Sequence, residues 1–129
     1  MTTPASGNFP RQATLSGNGA FTRVMDQRVR DTRGPLVFHA APAAGTQSRL
    51  GISIGRRVGN AVARNRIKRL LRESFRLGRG SWPAAYDLVV VVRPHKPLAL
   101  ADYQTHMATG ITKVHKVWAA RTKDAPPLP

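Results

Sequence analysis

The sequence predicts a small α/β domain of the α+β, two-layer kind, with its elements in the order α-β-β-α-β-α. Asp87-Leu-Val-Val-Val-Val92 is a strand-length apolar run of the kind buried on both faces. Two shorter runs, Leu36 to Ala41 and Leu50 to Ile54, read as further strands. Around them lie three stretches whose apolar residues recur at helical spacing. A chain of 129 residues can bury one core but not two. Residues 1–129 therefore read as a single domain without internal repeats.

Residues 1–14 mix Thr, Pro, Ser, Gly and Arg without periodicity and read as a flexible arm that orders near Leu15. From Gly19 to Arg30, Phe21, Val24, Met25 and Val29 fall at helical spacing, with Ser16 the expected N-cap and Asp31 to Pro35 ending the run. Leu36 to Ala41 and Leu50 to Ile54 are expected to pair antiparallel through the loop 42–48. Arg56 and Arg57 follow at the sheet end, and Gly59 permits a tight turn into a helix from Asn60 or Ala61 to Gly78. The strand ending at Val92 is expected at the centre of the sheet. Arg93 to Pro97 breaks it, and a last helix runs from Ala101 to Arg121. Leu100, Tyr103, Met107, Ile111, Val114 and Trp118 form the apolar stripe of that helix, and Gly110 is a modest weakness in it. Residues 122–129, with three prolines, read as a disordered tail.

The most informative stretch is 58–76, VGNAVARNRIKRLLRESFR. On a helix, Ile67, Leu70, Leu71 and Phe75 share one side and require a core. Arg64, Lys68, Arg72 and Arg76 form an i, i+4 row on a neighbouring side, and Asn65 and Arg69 broaden it. Like charges at this spacing destabilise an isolated helix by about 0.2–0.5 kcal/mol per pair. Glu73, the only acid in the segment, can relieve only Arg69 and Arg76. Ordinary solvated helices mix signs, whereas Arg49 to Arg79 holds ten basic residues against one acid. The row calls for a polyanion.

Composition points the same way. A formal charge of +15 and a pI near 11.9 indicate nucleic acid before an anionic membrane surface. No apolar run reaches the roughly 20 residues of a membrane span, and the N-terminus lacks the apolar core of a secretory signal. Zero cysteines exclude disulfides and thiolate metal sites, and the expected location is the cytoplasm. Asp26, Asp31, Glu73, Asp87, Asp102 and Asp124 are scattered, without the clustering that metal-dependent phosphodiester cleavage requires. The four histidines, 39, 95, 106 and 115, show no metal-ligand or acid–base spacing.

The run from Arg56-Arg57-Val-Gly59-Asn60-Ala61 through Arg64-Asn65-Arg66-Ile-Lys68-Arg69 to Arg72-Glu73-Ser-Phe75-Arg76 resembles the signature of the bacterial ribonuclease P protein subunit. The likeness extends in element order from Leu15 to about Ala120. It implies a ribosomal-protein-like domain with a left-handed β-α-β crossover, where pattern alone favours a right-handed one. It further implies a protein that joins a catalytic RNA to hydrolyse the phosphodiester at the 5′ end of mature tRNA within precursor tRNA. Mg2+ is then held mainly by the RNA, with none bound by the protein alone, and no catalytic residue stands on this chain. The implied partners are the ribonuclease P RNA and precursor tRNA, with no membrane and no obligate protein partner.

Carried onto this sequence, the resemblance makes Arg64, Asn65, Arg66, Lys68, Arg69, Arg72 and Arg76 the surface against the RNA subunit. A cleft between the sheet, the first helix and this helix becomes the track for the 5′ leader, with Phe21, Met25, His39, Arg56, Arg57 and Asn60 as contacts. Stacking on Phe21 would be tolerant of sequence. The chain departs from the family pattern at Met25, where a second aromatic is usual, at His39, where Tyr is common, and at Thr14, which replaces a basic residue. The alternative reading is a ribosomal or ribosome-assembly RNA-binding protein. A self-sufficient metal nuclease and a membrane-surface protein rank below it.

Overall fold

The computed structural model describes residues 13–15 and 17–124. Ser16, residues 1–12 and residues 125–129 lie outside them, and with them the expected N-cap, most of the arm and most of the tail. The order is α1 (Asn18–Asp26), β1 (Arg30–Arg33), β2 (Leu36–Pro42), β3 (Arg49–Ile54), α2 (Ala61–Gly78), β4 (Tyr86–Val92) and α3 (Leu100–Asp124), with 3-10 turns at Arg56–Val58 and Arg79–Ser81.

This is the expected order with one strand added. Arg30-Asp-Thr-Arg33 carries no apolar alternation. It becomes a strand because Gly34, at φ 54°, turns the chain back so that Arg30 stands opposite His39 and Arg33 opposite Leu36. The first helix accordingly ends at Asp26, and Val29 enters the core from the link to β1.

The strands lie in the order β1-β2-β4-β3. The expected antiparallel pairing of β2 with β3 does not form, because β4 lies between them, antiparallel to β2 and parallel to β3. The most apolar strand thus takes the position with neighbours on both sides, as its composition requires. Parallel β3 and β4 are joined through α2. At the outer edge of β3, Leu15 N–H donates to Leu50 O at 2.9 Å and Thr14 bridges Leu50. The chain is therefore tied down slightly before the expected Leu15, and Ala13 is already buried.

Side-chain alternation divides the sheet. Leu36, Phe38, Ala40, Leu50, Leu88 and Val90 face the main core with Ile67, Leu71 and Phe75 of α2 and Tyr103, Met107, Ile111 and Val114 of α3. Burying a side chain such as Phe75 or Leu71 stabilises the fold by roughly 1.5–3 kcal/mol. Ala41 and Val89 face the other way and pack with Leu15, Phe21 and Val24. The sheet is thus backed by α2 and α3, while α1 covers one end of its opposite face.

Helix α2 starts where expected. Asn60 is its N-cap, with Oδ1 accepting the Ala63 N–H at 2.8 Å, a bond worth about 1 kcal/mol. Gly59 makes no left-handed turn, since its backbone is extended; a Cβ there would stand 3.2 Å from that of Ala63. α3 continues to Asp124, so the first three residues of the expected tail are helical.

Gly110 has a stronger reason than tolerance. A Cβ there would lie 2.5 Å from Cδ2 of the fully buried Phe38 ring. Gly110→Ala gains about 1 kcal/mol of helix propensity but forces an overpacked core costing about 1–3 kcal/mol. A lowered Tm in thermal unfolding is expected. An unchanged or raised Tm would show that the ring yields freely.

Candidate nucleic-acid interface

The two sides of α2 separate as the sequence indicates. Ile67, Leu71 and Phe75 are fully buried and Leu70 partly so, while Asn65, Arg66, Arg69, Arg72 and Arg76 are exposed. Arg64 and Lys68 are intermediate. Among the described residues Arg64 Nε is sealed from solvent without an acceptor, an unfavourable arrangement for a guanidinium. Among the described residues Arg76 alone of the row has an acid partner, donating to both oxygens of Glu73 at 2.9 and 2.6 Å. That partner holds the Glu73 carboxyl below its ordinary range, first through the hydrogen bonds and then through charge. Among the described residues, the cations free of acid partners on this surface are therefore Arg64, Arg66, Lys68, Arg69 and Arg72.

A second surface is the part of the sheet face that α1 leaves open. Phe21 lies against Gly51, where a Cβ would meet the ring at 2.6 Å. Gly51, Val89, His39 and Arg30 share one cross-strand row. Beyond it Ser53, Val91, Val37 and Thr32 form a second row, from exposed to partly buried. Phe21 is partly buried in packing and Met25, one turn on, is exposed. Arg56 and Arg57 are exposed on the turn after β3. They follow the end of β3, five and six residues along the chain from the Gly51 that Phe21 covers. The cleft is bounded by α1 and the sheet. Helix α2, expected as its third wall, lies behind the sheet, because the residues that hold it alternate onto the other face. Asn60 is spent partly on capping.

His39 is buried, and its Nδ1 has no partner among the described residues. Burial, and then the charge of Arg30, push its pKa below the ordinary value. The folded state thus keeps His39 neutral where the unfolded chain, with a His pKa of about 6.5, takes up a proton. More protons bound in the unfolded state means stability that rises with pH. Urea unfolding followed downward from neutral pH is expected to show stability falling from about pH 6.5, with a flatter profile for His39→Asn. Identical slopes in the two proteins would refute this.

Asp87 is fully buried and accepts from Arg49 Nε at 2.9 Å and Nη2 at 2.7 Å, from Arg23, and from the Ala44 N–H. It clamps α1 to the sheet and fixes the wall that carries Phe21. Asp31 is paired with Arg33 at 2.6 Å. Among the described residues no group of three His, Asp or Glu side chains could hold a metal ion. Asp31, Glu73 and Asp87 are each committed to arginines.

Sequence reasoning missed Arg30 at the β1 edge beside the cleft, because Arg30 was read as a helix end. It also missed the Asp87 clamp, which joins residues far apart in the chain. Of the other histidines, His95 bonds Arg93 O at 2.8 Å and Tyr103 Oη at 2.7 Å, and His115 bonds Tyr86 Oη at 2.6 Å. A carbonyl only accepts, so Nδ1 of His95 carries the proton. Both rings brace the fold.

Comparison with known proteins agrees with this geometry. A family model described as Ribonuclease P matches residues 9–115. The ribonuclease P protein component of Desulfovibrio desulfuricans is 41% identical over 97 residues, covering 74% of this chain and 75% of that protein. That of Natranaerobius thermophilus is 38% identical over 80 residues, covering 62% and 70%. Among solved structures, the RNase P protein of Staphylococcus aureus superposes with a TM-score of 0.68 at 30% identity, covering 81% of this chain and 96% of that one. The RNase P protein from Thermotoga maritima gives 0.60 at 26%, covering 69% and 86%.

Proposed function

The chain belongs to the ribonuclease P protein family, and from that premise we propose how its two surfaces divide the work on RNA. As a protein subunit of ribonuclease P it binds RNA and serves tRNA processing. Arg64, Asn65, Arg66, Lys68, Arg69, Arg72 and Arg76 meet the catalytic RNA, where guanidinium groups grip phosphates through paired hydrogen bonds. Phe21, Met25, His39, Arg56, Arg57 and Asn60 take the 5′ leader of precursor tRNA, Phe21 by stacking and Met25 by a softer apolar contact. The observation that carries this reading is α2, a helix committed to the core on one side and loaded with unpaired cations on the other.

The mechanism is electrostatic and positional. The protein neutralises repulsion between two RNAs, captures the leader, and so lowers the magnesium concentration needed for cleavage. The RNA supplies the catalytic groups and holds Mg2+, and this chain donates none; Asp31, Glu73 and Asp87 are tied to arginines. Among the described residues no helix is long and apolar enough to cross a membrane, and the proposed setting is the cytoplasm.

The test is leader removal from a precursor tRNA at low magnesium by the protein, by a bacterial ribonuclease P RNA, and by both together. Cleavage that needs both supports the reading. An RNA whose rate is unmoved by the protein would overturn it and bring forward a ribosomal-RNA binder.

A further inference from the structure

Arg28, Arg30 and Arg121 form a second group of cations at the β1 edge of the sheet, away from α2, which packs on the β3 side. Arg28 adopts φ 57°, the left-handed conformation that favours glycine, yet carries a long cationic side chain. Arg121 Nη1 donates to Gln27 O at 3.2 Å, and the guanidinium lies 5.1 Å over the Trp118 ring. Trp118 is itself fixed by Nε1 donating to Ala40 O at 2.9 Å. The end of α3 is thereby pinned to the turn bearing Arg28 and Arg30. The described ion pairs involve Arg23, Arg33, Arg49 and Arg76, and none of these three. Asp31, the neighbour of Arg30 in sequence, is paired with Arg33.

Arg30 shares the sheet face of His39 and the open row beside it, so the group continues the cleft rather than the α2 surface. We propose that Arg28, Arg30 and Arg121 bind phosphates of the 5′ leader upstream of the stretch held in the cleft. The leader then enters near Arg56 and Arg57, crosses the sheet past Phe21, and leaves over the β1 edge. This rests on the leader reading above and extends it to a site beyond the cleft.

The experiment uses the assembled ribonucleoprotein and two precursor tRNAs, one with a short leader and one with a long leader. The triple variant R28Q/R30Q/R121Q is expected to lose about tenfold in affinity for the long-leader precursor, with the salt slope reduced by about 2. Its affinities for the short-leader precursor and for the RNA subunit stay at the parent values. R28G removes the charge and relieves the left-handed backbone. It should keep or raise Tm while still losing part of the long-leader affinity, an outcome that misfolding cannot imitate. A triple variant that retains the full long-leader advantage overturns the proposal, as does equal loss on both precursors or on the RNA subunit. A parent protein with no long-leader advantage overturns this inference alone, whereas a short-leader precursor bound no better than a leaderless tRNA sinks the leader reading itself.

Discussion

Replacing Arg64, Lys68 and Arg72 together by alanine is expected to weaken binding to the RNA subunit by about a hundredfold at ~0.15 M salt and to flatten its salt dependence by a slope of about 3. Each cation that neutralises a phosphate releases a condensed counterion, and three are removed. The fold should not suffer. None of the three has an acid partner among the described residues, and the core side of α2 is untouched. Alanine is also the best helix former, and the 64-68-72 repulsion disappears. Circular dichroism and thermal unfolding should match or exceed the parent, while titrations at several salt concentrations show the flattened slope. A loss of affinity with an unchanged slope would mean that these residues act without touching phosphates. Arg76 is omitted because Glu73 already occupies it.

Asp87→Ala attacks the opposite quantity, stability. Removing the partner of a buried ion pair costs about 3–5 kcal/mol because the remaining charges are stranded. Here the lower end applies, since the side chains of Arg23 and Arg49 are 38% and 31% exposed and can recover water. A loss of about 3 kcal/mol corresponds to a fall in Tm of about 10 °C for a domain of this size. The same change should be milder in an Arg49→Ala background, and a double-mutant cycle isolates that coupling. Leader affinity should fall more than affinity for the RNA subunit, because the clamp holds α1 and not α2. A Tm within a degree or two of the parent would show the clamp to be dispensable.

How much of this was legible depended on the range of the interaction. Helix α2 was readable to within a residue, from Asn60 or Ala61 to Gly78, because periodicity and Gly78 as stop are local, and the structure added Asn60 as its cap. β4 was readable as central because five apolar residues in a row fit only a strand with cover on both faces. β1 was not: Arg-Asp-Thr-Arg is a strand only by its pairing with β2, and Val29 falls in helical phase with Phe21 and Val24 by coincidence. The pairing of β2 with β3 was assumed from their nearness in sequence, and the chain instead returns after α2 to place β4 between them. On the candidate site, the charged side of α2 follows from the pattern alone. The separation of the leader cleft from α2 needed the strand alternation seen in three dimensions. Asp87 looked like one scattered acid because its arginines stand 38 and 64 residues away.

The two outer strands also bear on how the protein survives without its RNA. A sheet edge offers unpaired backbone groups to any other extended chain, and a long, flat, apolar edge seeds aggregation. Here one edge is β1, only four residues long and three-quarters charged. The other is β3, shielded at one end where Thr14 and Leu15 lie along Leu50. Neither edge is an inviting template, and the net charge of +15 keeps copies apart. The apolar strand β4, the most adhesive segment of the chain, is enclosed between them, so the freshly made subunit can wait for its partner without self-assembling through its sheet.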